Sequence, residues 1–386
     1  PKQGIRTMAQ ALTFDPLTLP EEAEALRAEV RAFVAETLPE GYLRTSDFGA
    51  SHDPDFSRAL GERGWIGMTW PKRYGGGERS FFERYVVTEE LLAAGAPVGA
   101  HWIADRQSGP LLLRYGTEAQ REFFLPKIVA GECFFSIGMS EPDSGSDLAS
   151  VRTSGTRVDG GWRVNGTKLW SSHAHRNHYM ITLIRTEAQG ENRHAGLSQV
   201  IVDLRNSEGL TIRPIRSLAG EAEFNEVVFE DCFVPDDRVV GNTGLGWEQV
   251  TSELGYERSG PERFLSAFRV FVELAREIGP EPSEHEAIVL GRMAAHMMTL
   301  RKMSISVAGM LQSNANPVVE AALVKELGNN FEKELPEIAR LVAPATASRL
   351  FRDTLEHTVL HAPSFTIRGG TREILRGMIA RGLGLR

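Results

Sequence analysis

Glu257 is the residue in this chain best placed by its neighbours to move a proton. It lies in Leu254-Gly255-Tyr256-Glu257-Arg258, followed by Gly260 and Pro261. Proline has no N–H, so in a continuous helix the Glu257 carbonyl loses its i+4 donor and the helix should kink there. Gly255 and Gly260 loosen the same turn by about 1 kcal/mol each relative to alanine. A softened turn around a carboxylate is expected where that side chain must be aimed into a site. An exposed Glu beside Arg258 at a helix break would leave the same trace. Glu262 is the nearest competitor, but its offset points it to another face.

Three other stretches could bind or react. Ser140-Glu141-Pro142-Asp143-Ser144-Gly145-Ser146-Asp147 can set backbone N–H groups and short hydroxyls against a polar ring edge or a phosphate; it also reads as a plain Ser/Asp-rich turn. Arg368-Gly369-Gly370-Thr371-Arg372-Glu373 turns at two glycines and opens a last helix, where Thr371 could simply be the cap. His173, His175 and His178 follow Trp170 closely, but no nearby carboxylate or cysteine completes a metal set, so no metal is expected. The chain contains neither GxGxxG after a first strand nor GxxxxGK[ST], so a nucleotide would have to bind without those phosphate loops.

The elements that must hold these residues change in texture along the chain. Up to about Cys133 the pattern is helical. Leu26, Val30, Phe33, Val34 and Leu38 recur at helical spacing after Pro20, and helical stretches follow near 56–64, 81–94, 104–115 and 118–130. From Phe134 to about Val240, short β-rich runs alternate with turn signals. Strands are expected at 134–138, 180–184, 199–204 and 226–229, and hairpin turns at Asp159-Gly160-Gly161 and Asn165-Gly166 around Trp162-Arg163-Val164. After Gly246 long helices are expected near 247–278, 284–312, 318–343 and 346–360. The fold class is therefore α+β: an N-terminal helical domain (8–133), a middle antiparallel β-domain (134–241) and a C-terminal helical domain (242–386).

Composition narrows the partners. The 386 residues suffice for two or three packed units, and 41% hydrophobic with 24% charged residues is ordinary for a globular protein. A net charge of −8 without a basic, aromatic-studded patch argues against nucleic acid. No apolar run approaches the roughly 18 residues of a membrane span, and no signal peptide is evident. Cys133 and Cys232 are the only cysteines, which suits a reducing, cytoplasmic setting. Residues 1–7 read unlike a domain start, and Met8 is a candidate initiator.

Taken together, the Ser140–Asp147 block, Gly166-Thr167-Lys168-Leu169-Trp170-Ser171-Ser172, the C-terminal Gly-Gly-Thr-Arg-Glu motif and the order helices–sheet–helices resemble the acyl-CoA dehydrogenase family of flavoproteins. That resemblance implies two helical domains around a β-domain, the last a four-helix bundle, and an FAD cofactor. It implies flavin contacts from Met139, Ser140, Trp170, Ser171 and Ser172, with Ser146 reaching toward both the cofactor and the CoA moiety. Thr371 and Glu373 would meet the FAD pyrophosphate and ribose. Departures occur at Asp143, Ser144 and Ser171–Ser172, and in Ala275-Arg276-Glu277-Ile278-Gly279, where many members carry Arg-x-x-Phe-Gly.

The decisive departure is Gly369. Many members carry the proton-removing Glu at this position, and glycine has no side chain to do that work. Other members place the base at the position that Glu257 occupies here. The resemblance then implies α,β-dehydrogenation of an acyl-CoA, with Glu257 as the base and Gly255, Tyr256, Arg258, Gly369 and Gly370 around the substrate. Gly369 would keep its N–H as a donor to the thioester carbonyl. Electrons would leave to an electron-transferring flavoprotein, and the assembly would be a homotetramer or a heterotetramer with a related subunit. The missing Glu keeps three rivals open: a catalytically incomplete partner subunit, a flavin monooxygenase or oxidase, and a desulfinase-type relative.

Overall fold

The computed structural model describes residues 12–39, 42 and 51–385, with the side chains of 253–257 outside the description. The N-terminal part is helical because its apolar residues recur on one face. Helix α1 (Glu21–Thr37) buries Ala23, Leu26, Val30, Phe33 and Val34, and its first turn carries Glu21, Glu22 and Glu24 against the positive helix end. Helix α2 (Pro54–Glu62) starts at Asp53, whose carboxylate accepts from the amides of Asp55 and Phe56. Helices α3 (Phe81–Ala93) and α6 (Glu118–Val129) both open with capping boxes, Ser80/Glu83 and Thr117/Gln120.

The stretch expected as one helix over 104–115 is a composite. Helix α4 (Gly99–Ile103) runs through a single π turn (Ala104–Ser108) into α5 (Gly109–Tyr115). Packing explains the position of this turn. Trp70 lies so close that a Cβ on Gly109 would stand 2.0 Å from its Cη2, and the Asp105 carboxylate accepts from Gly67 N at 2.8 Å.

The middle part is a seven-stranded sheet among the described residues: β1 (Phe135–Gly138), β2 (Ser154–Val158), β3 (Gly161–Lys168), β4 (Tyr179–Arg185), β5 (Leu197–Asp203), β6 (Leu210–Ile215) and β7 (Phe224–Pro235). The order is β1-β4-β2-β3-β7-β6, with β5 also on β4. The expected antiparallel character holds for most pairs, but β1 runs parallel to β4 in register Phe135↔Tyr179. A parallel pair needs a long crossover, and the loop after β1 together with the β2–β3 hairpin supplies it. Asp159-Gly160 turns as expected, with Gly160 at φ 70°. Asn165-Gly166 does not. It lies inside β3 as a bulge opposite β7, where Gly166 (φ 146°) approaches Thr153 too closely for any Cβ.

The C-terminal part consists of α7 (Gly246–Glu257), a 3₁₀ turn (Pro261–Arg263), α8 (Phe268–Ile278), α9 (Glu284–Gln312), α10 (Val318–Val342), α11 (Arg349–Phe365) and α12 (Arg372–Gly382). Helix α10 packs against α8, α9, α11 and α12. The single kinked helix expected over 247–278 is broken outright. Gly260 is extended (φ −76°, ψ 172°), and Pro261 starts the 3₁₀ turn, where it needs no N–H. The last long helix also runs to Phe365, past Pro363, rather than stopping at Leu360.

Candidate active site

The helix break and the C-terminal turn meet. Gly369 and Gly370 take φ of 64° and 102°, the left-handed region that glycine enters at no steric cost. Arg258, only 2% exposed, donates from Nε to Gly369 O at 3.2 Å, and a Cβ on Gly370 would stand 3.2 Å from Arg258 Nη2. The fully buried Lys325 of α10 donates to Gly370 O at 2.7 Å. Arg368 pairs with buried Glu332 at 2.9 Å and also donates to Ser266 Oγ and Glu262 O. Arg372 and Arg376 both reach Glu326. Arg258 therefore sits beneath the turn and holds it, one residue beyond Glu257. Helix α7 ends at Glu257; the side chains of Glu257, Gly255 and Tyr256 lie outside the described residues.

The opposite wall comes from the β-domain. Glu141 anchors the 140–147 loop: its carboxylate accepts from Arg152 N (2.7 Å), Thr153 N (2.9 Å) and the wholly buried Lys168 Nζ (2.7 Å). Burial opposes the Glu141 charge, but Lys168 and the amides outweigh it and lower its pKa. Burial pulls Lys168 down to about 8 against the pull of Glu141. This pair escaped sequence reasoning, since a lysine inside a strand reads as surface. Lys168 also reaches Met139 O, and Leu169 N donates to Ser140 O at 2.9 Å. Ser146 is exposed.

Trp170 is no core indole. It is 57% exposed, takes φ 63°, and meets Phe224 edge-on at 6.1 Å. Next to it the buried Ser171 hydroxyl has no hydrogen-bond partner, and the half-buried Ser172 hydroxyl has none among the described residues. A projecting aromatic face beside two uncommitted hydroxyls suits a planar, heteroatom-rimmed ring. At the last helix, Thr371 has N-cap backbone geometry but its side chain makes no cap bond. Glu373 is exposed, and its own amide and the Thr371 hydroxyl hold its carboxylate below the usual range.

The three histidines near Trp170 do not converge. His175 bonds Asn225, His178 accepts from Phe134 N, and His173 packs edge-on to His52. A different set does: Glu221 of the β6–β7 connection lies 3.3 Å from His357 Nε2 and 3.4 Å from His361 Nε2, the two histidines one turn apart on α11. The hydrogen bond to His357 and the nearby His361 hold the Glu221 carboxylate well below its usual range and clip the sheet to α11.

The N-terminal domain model of the acyl-CoA dehydrogenases matches residues 20–132, and the middle domain model matches 136–232. Acyl-CoA dehydrogenase IpdE1 of Mycolicibacterium smegmatis is 34% identical over 94% of this chain and 98% of its own length. Among solved structures, a "Tcur3481-Tcur3483 steroid ACAD" is similar with a TM-score of 0.86 at 28% identity, covering 96% of this chain and 99% of that one. The ChsE4-ChsE5 complex of Mycobacterium tuberculosis is similar with a TM-score of 0.81 at 30% identity, covering 96% and 99%.

Proposed function

The chain belongs to the acyl-CoA dehydrogenase family of oxidoreductases, and from that premise we propose that it desaturates an acyl-CoA between Cα and Cβ, with Glu257 taking the α-proton. The observation that carries this is the Arg258–Gly369 contact. It sets the end of α7 beside the turn at which many relatives carry their Glu, so a carboxylate at 257 can serve the same space from the other side. The α-proton of a thioester is weakly acidic, so its removal needs donors at the thioester oxygen, and the Gly369 N–H is offered for that role. A carboxylate base gains strength from a raised pKa, which burial against an acyl chain provides.

FAD fits the residues present. Trp170 would lie against its ring, and Met139, Ser140, Ser171 and Ser172 would line the polar edge. The amino end of α12, with Thr371 and Glu373, would take the pyrophosphate and ribose. Bound FAD supplies the acceptor for the β-hydrogen and its electron pair. An electron-transferring flavoprotein would take those electrons onward. Two relatives are described by paired chain names, so the assembly proposed is one with a related second subunit, the homotetramer being the alternative. The similarity to a steroid ACAD supports a bulky, cyclic acyl group.

The test is an anaerobic titration with a panel of acyl-CoA esters, following loss of the oxidised flavin band, for the natural protein and Glu257→Gln. Bleaching by one class of ester, lost in the variant, is expected. Equal bleaching in the variant would remove Glu257 from the base role. Full flavin with no bleaching by any ester would move the assignment to an incomplete partner subunit.

A further inference from the structure

Beside the helix break lies a small, half-open cleft of about 30 Å³ between α3, the π turn, α9 and residues 259–261. Its walls include Ser259, Gly260 and Pro261, two to four residues beyond Glu257, so the cleft adjoins the end of α7. A plain hydrocarbon tail calls for aliphatic walls. Phe81, Pro261, Ala308 and Leu311 supply apolar wall here, but Arg84, Tyr85, Thr88 and Arg106 face the same space.

Arg84 is the telling residue. Its guanidinium forms neither a hydrogen bond nor an ion pair with any described residue. Burial pulls its pKa down to about 10, and the Arg106 charge adds to that pull. Asp105 and Glu262 oppose it only from a distance. Arg106 stacks 4.6 Å from the Trp102 ring centroid and donates to Thr88 Oγ1, while its buried Nε goes unbonded 3.4 Å from Asp105. Asp105 is itself engaged by Gly67 N. The buried Tyr85 hydroxyl has no hydrogen-bond partner among the described residues, while nearby Ser304 donates to Ser259 O. Arg106 is thus paired with Asp105, and Arg84 alone has no partner among the described residues. A cation away from water is costly unless something pairs with it, and a guanidinium fork matches a carboxylate with two parallel bonds.

We infer that the acyl group this chain accepts ends, away from its thioester, in a carboxylate gripped by Arg84 with Arg106 beside it. The inference rests on the acyl-CoA reading above and names the substrate class for that site. Thr88 holds Arg106 in place, and Asp105 and Glu262 are the acidic groups that act on Arg84.

The experiment uses the assembled, flavin-loaded enzyme and two CoA esters of equal length, one ending in carboxylate and one in methyl. Their affinities are measured by calorimetry, which needs no turnover, and their kcat/KM by anaerobic flavin bleaching. The carboxylate ester should be preferred on the order of 100-fold. Arg84→Met should bring the ratio near one through KM, and Arg84→Lys should keep part of the preference. Equal or better binding of the methyl ester by the natural enzyme overturns the inference, as does an unchanged ratio in Arg84→Met. Preferred binding without bleaching would leave the inference standing and remove the dehydrogenase reading instead.

Discussion

Replacing Glu332 with glutamine should loosen the C-terminal turn while leaving the residue's size unchanged. Glu332 is fully buried on α10, and its two oxygens do separate jobs. Oε2 pairs with Arg368 at 2.9 Å, and Oε1 accepts from Ser266 N at 2.8 Å. The residue before Gly369 is thereby tied to the segment after the helix break. Burial pushes the Glu332 carboxyl up, and Arg368 and Ser266 pull it back. Glu332→Gln removes the buried negative charge that Arg368 faces across this bond, at a cost of about 3–5 kcal/mol. At about 2.1 cal/mol/K per residue, unfolding 386 residues carries about 0.8 kcal/mol/K, so the melting temperature should fall by about 4–6 °C. Flavin retention should fall with it, because the turn leads into α12. Differential scanning calorimetry and the flavin-to-protein absorbance ratio read both effects. The double variant Glu332→Leu, Arg368→Met should recover much of the loss, since neither charge stays buried. A shift under about 1 °C in the single variant, or a double variant as unstable as the sum of its parts, would refute the view that this pair pins the turn.

Other consequences can be checked in parallel. Gly109→Ala should cost about 1–3 kcal/mol by forcing Trp70 aside, with a changed tryptophan emission; an unchanged melt would contradict the close packing. His101 is buried against Ser57 Oγ (2.9 Å), and burial pulls its pKa down to about 4. It stays neutral in the fold while the unfolded chain takes up a proton below about 6.5. Its stabilisation is therefore complete above that pH and lost as pH falls toward 4, by about 3 kcal/mol in all. Melts of His101→Asn between pH 7 and 4.5 should lack that part of the slope. Trp170→Ala should leave the melt nearly unchanged, because the indole is exposed, yet lower the bound flavin; full flavin with an unaltered spectrum would remove Trp170 from the cofactor face.

Local order was legible in the chain. The apolar spacing of α1, the helical runs of α3 and α6, and the Asp159-Gly160 turn act within a few residues, so each can be read without knowing what packs nearby. Errors fell where distant segments decide. Asn165-Gly166 looks like a turn and is a bulge, because β7 and Thr153 lie against it. The helix expected over 247–278 is broken because Gly260 is extended and Pro261 opens a 3₁₀ turn that packs against α3 and α10.

From its residues alone the chain determined the order helices–sheet–helices, the absence of a side chain at 369, and a soft turn around Glu257. Only the tertiary structure decided that Arg258 carries the Gly369 carbonyl, that Lys168 and Glu141 share a buried site, and that Arg84 faces a cleft without a partner among the described residues. The physical reason is range. Helix periodicity and turn chemistry are set by neighbours along the backbone, whereas burial and charge pairing depend on what folding brings alongside, and one-dimensional spacing does not record that.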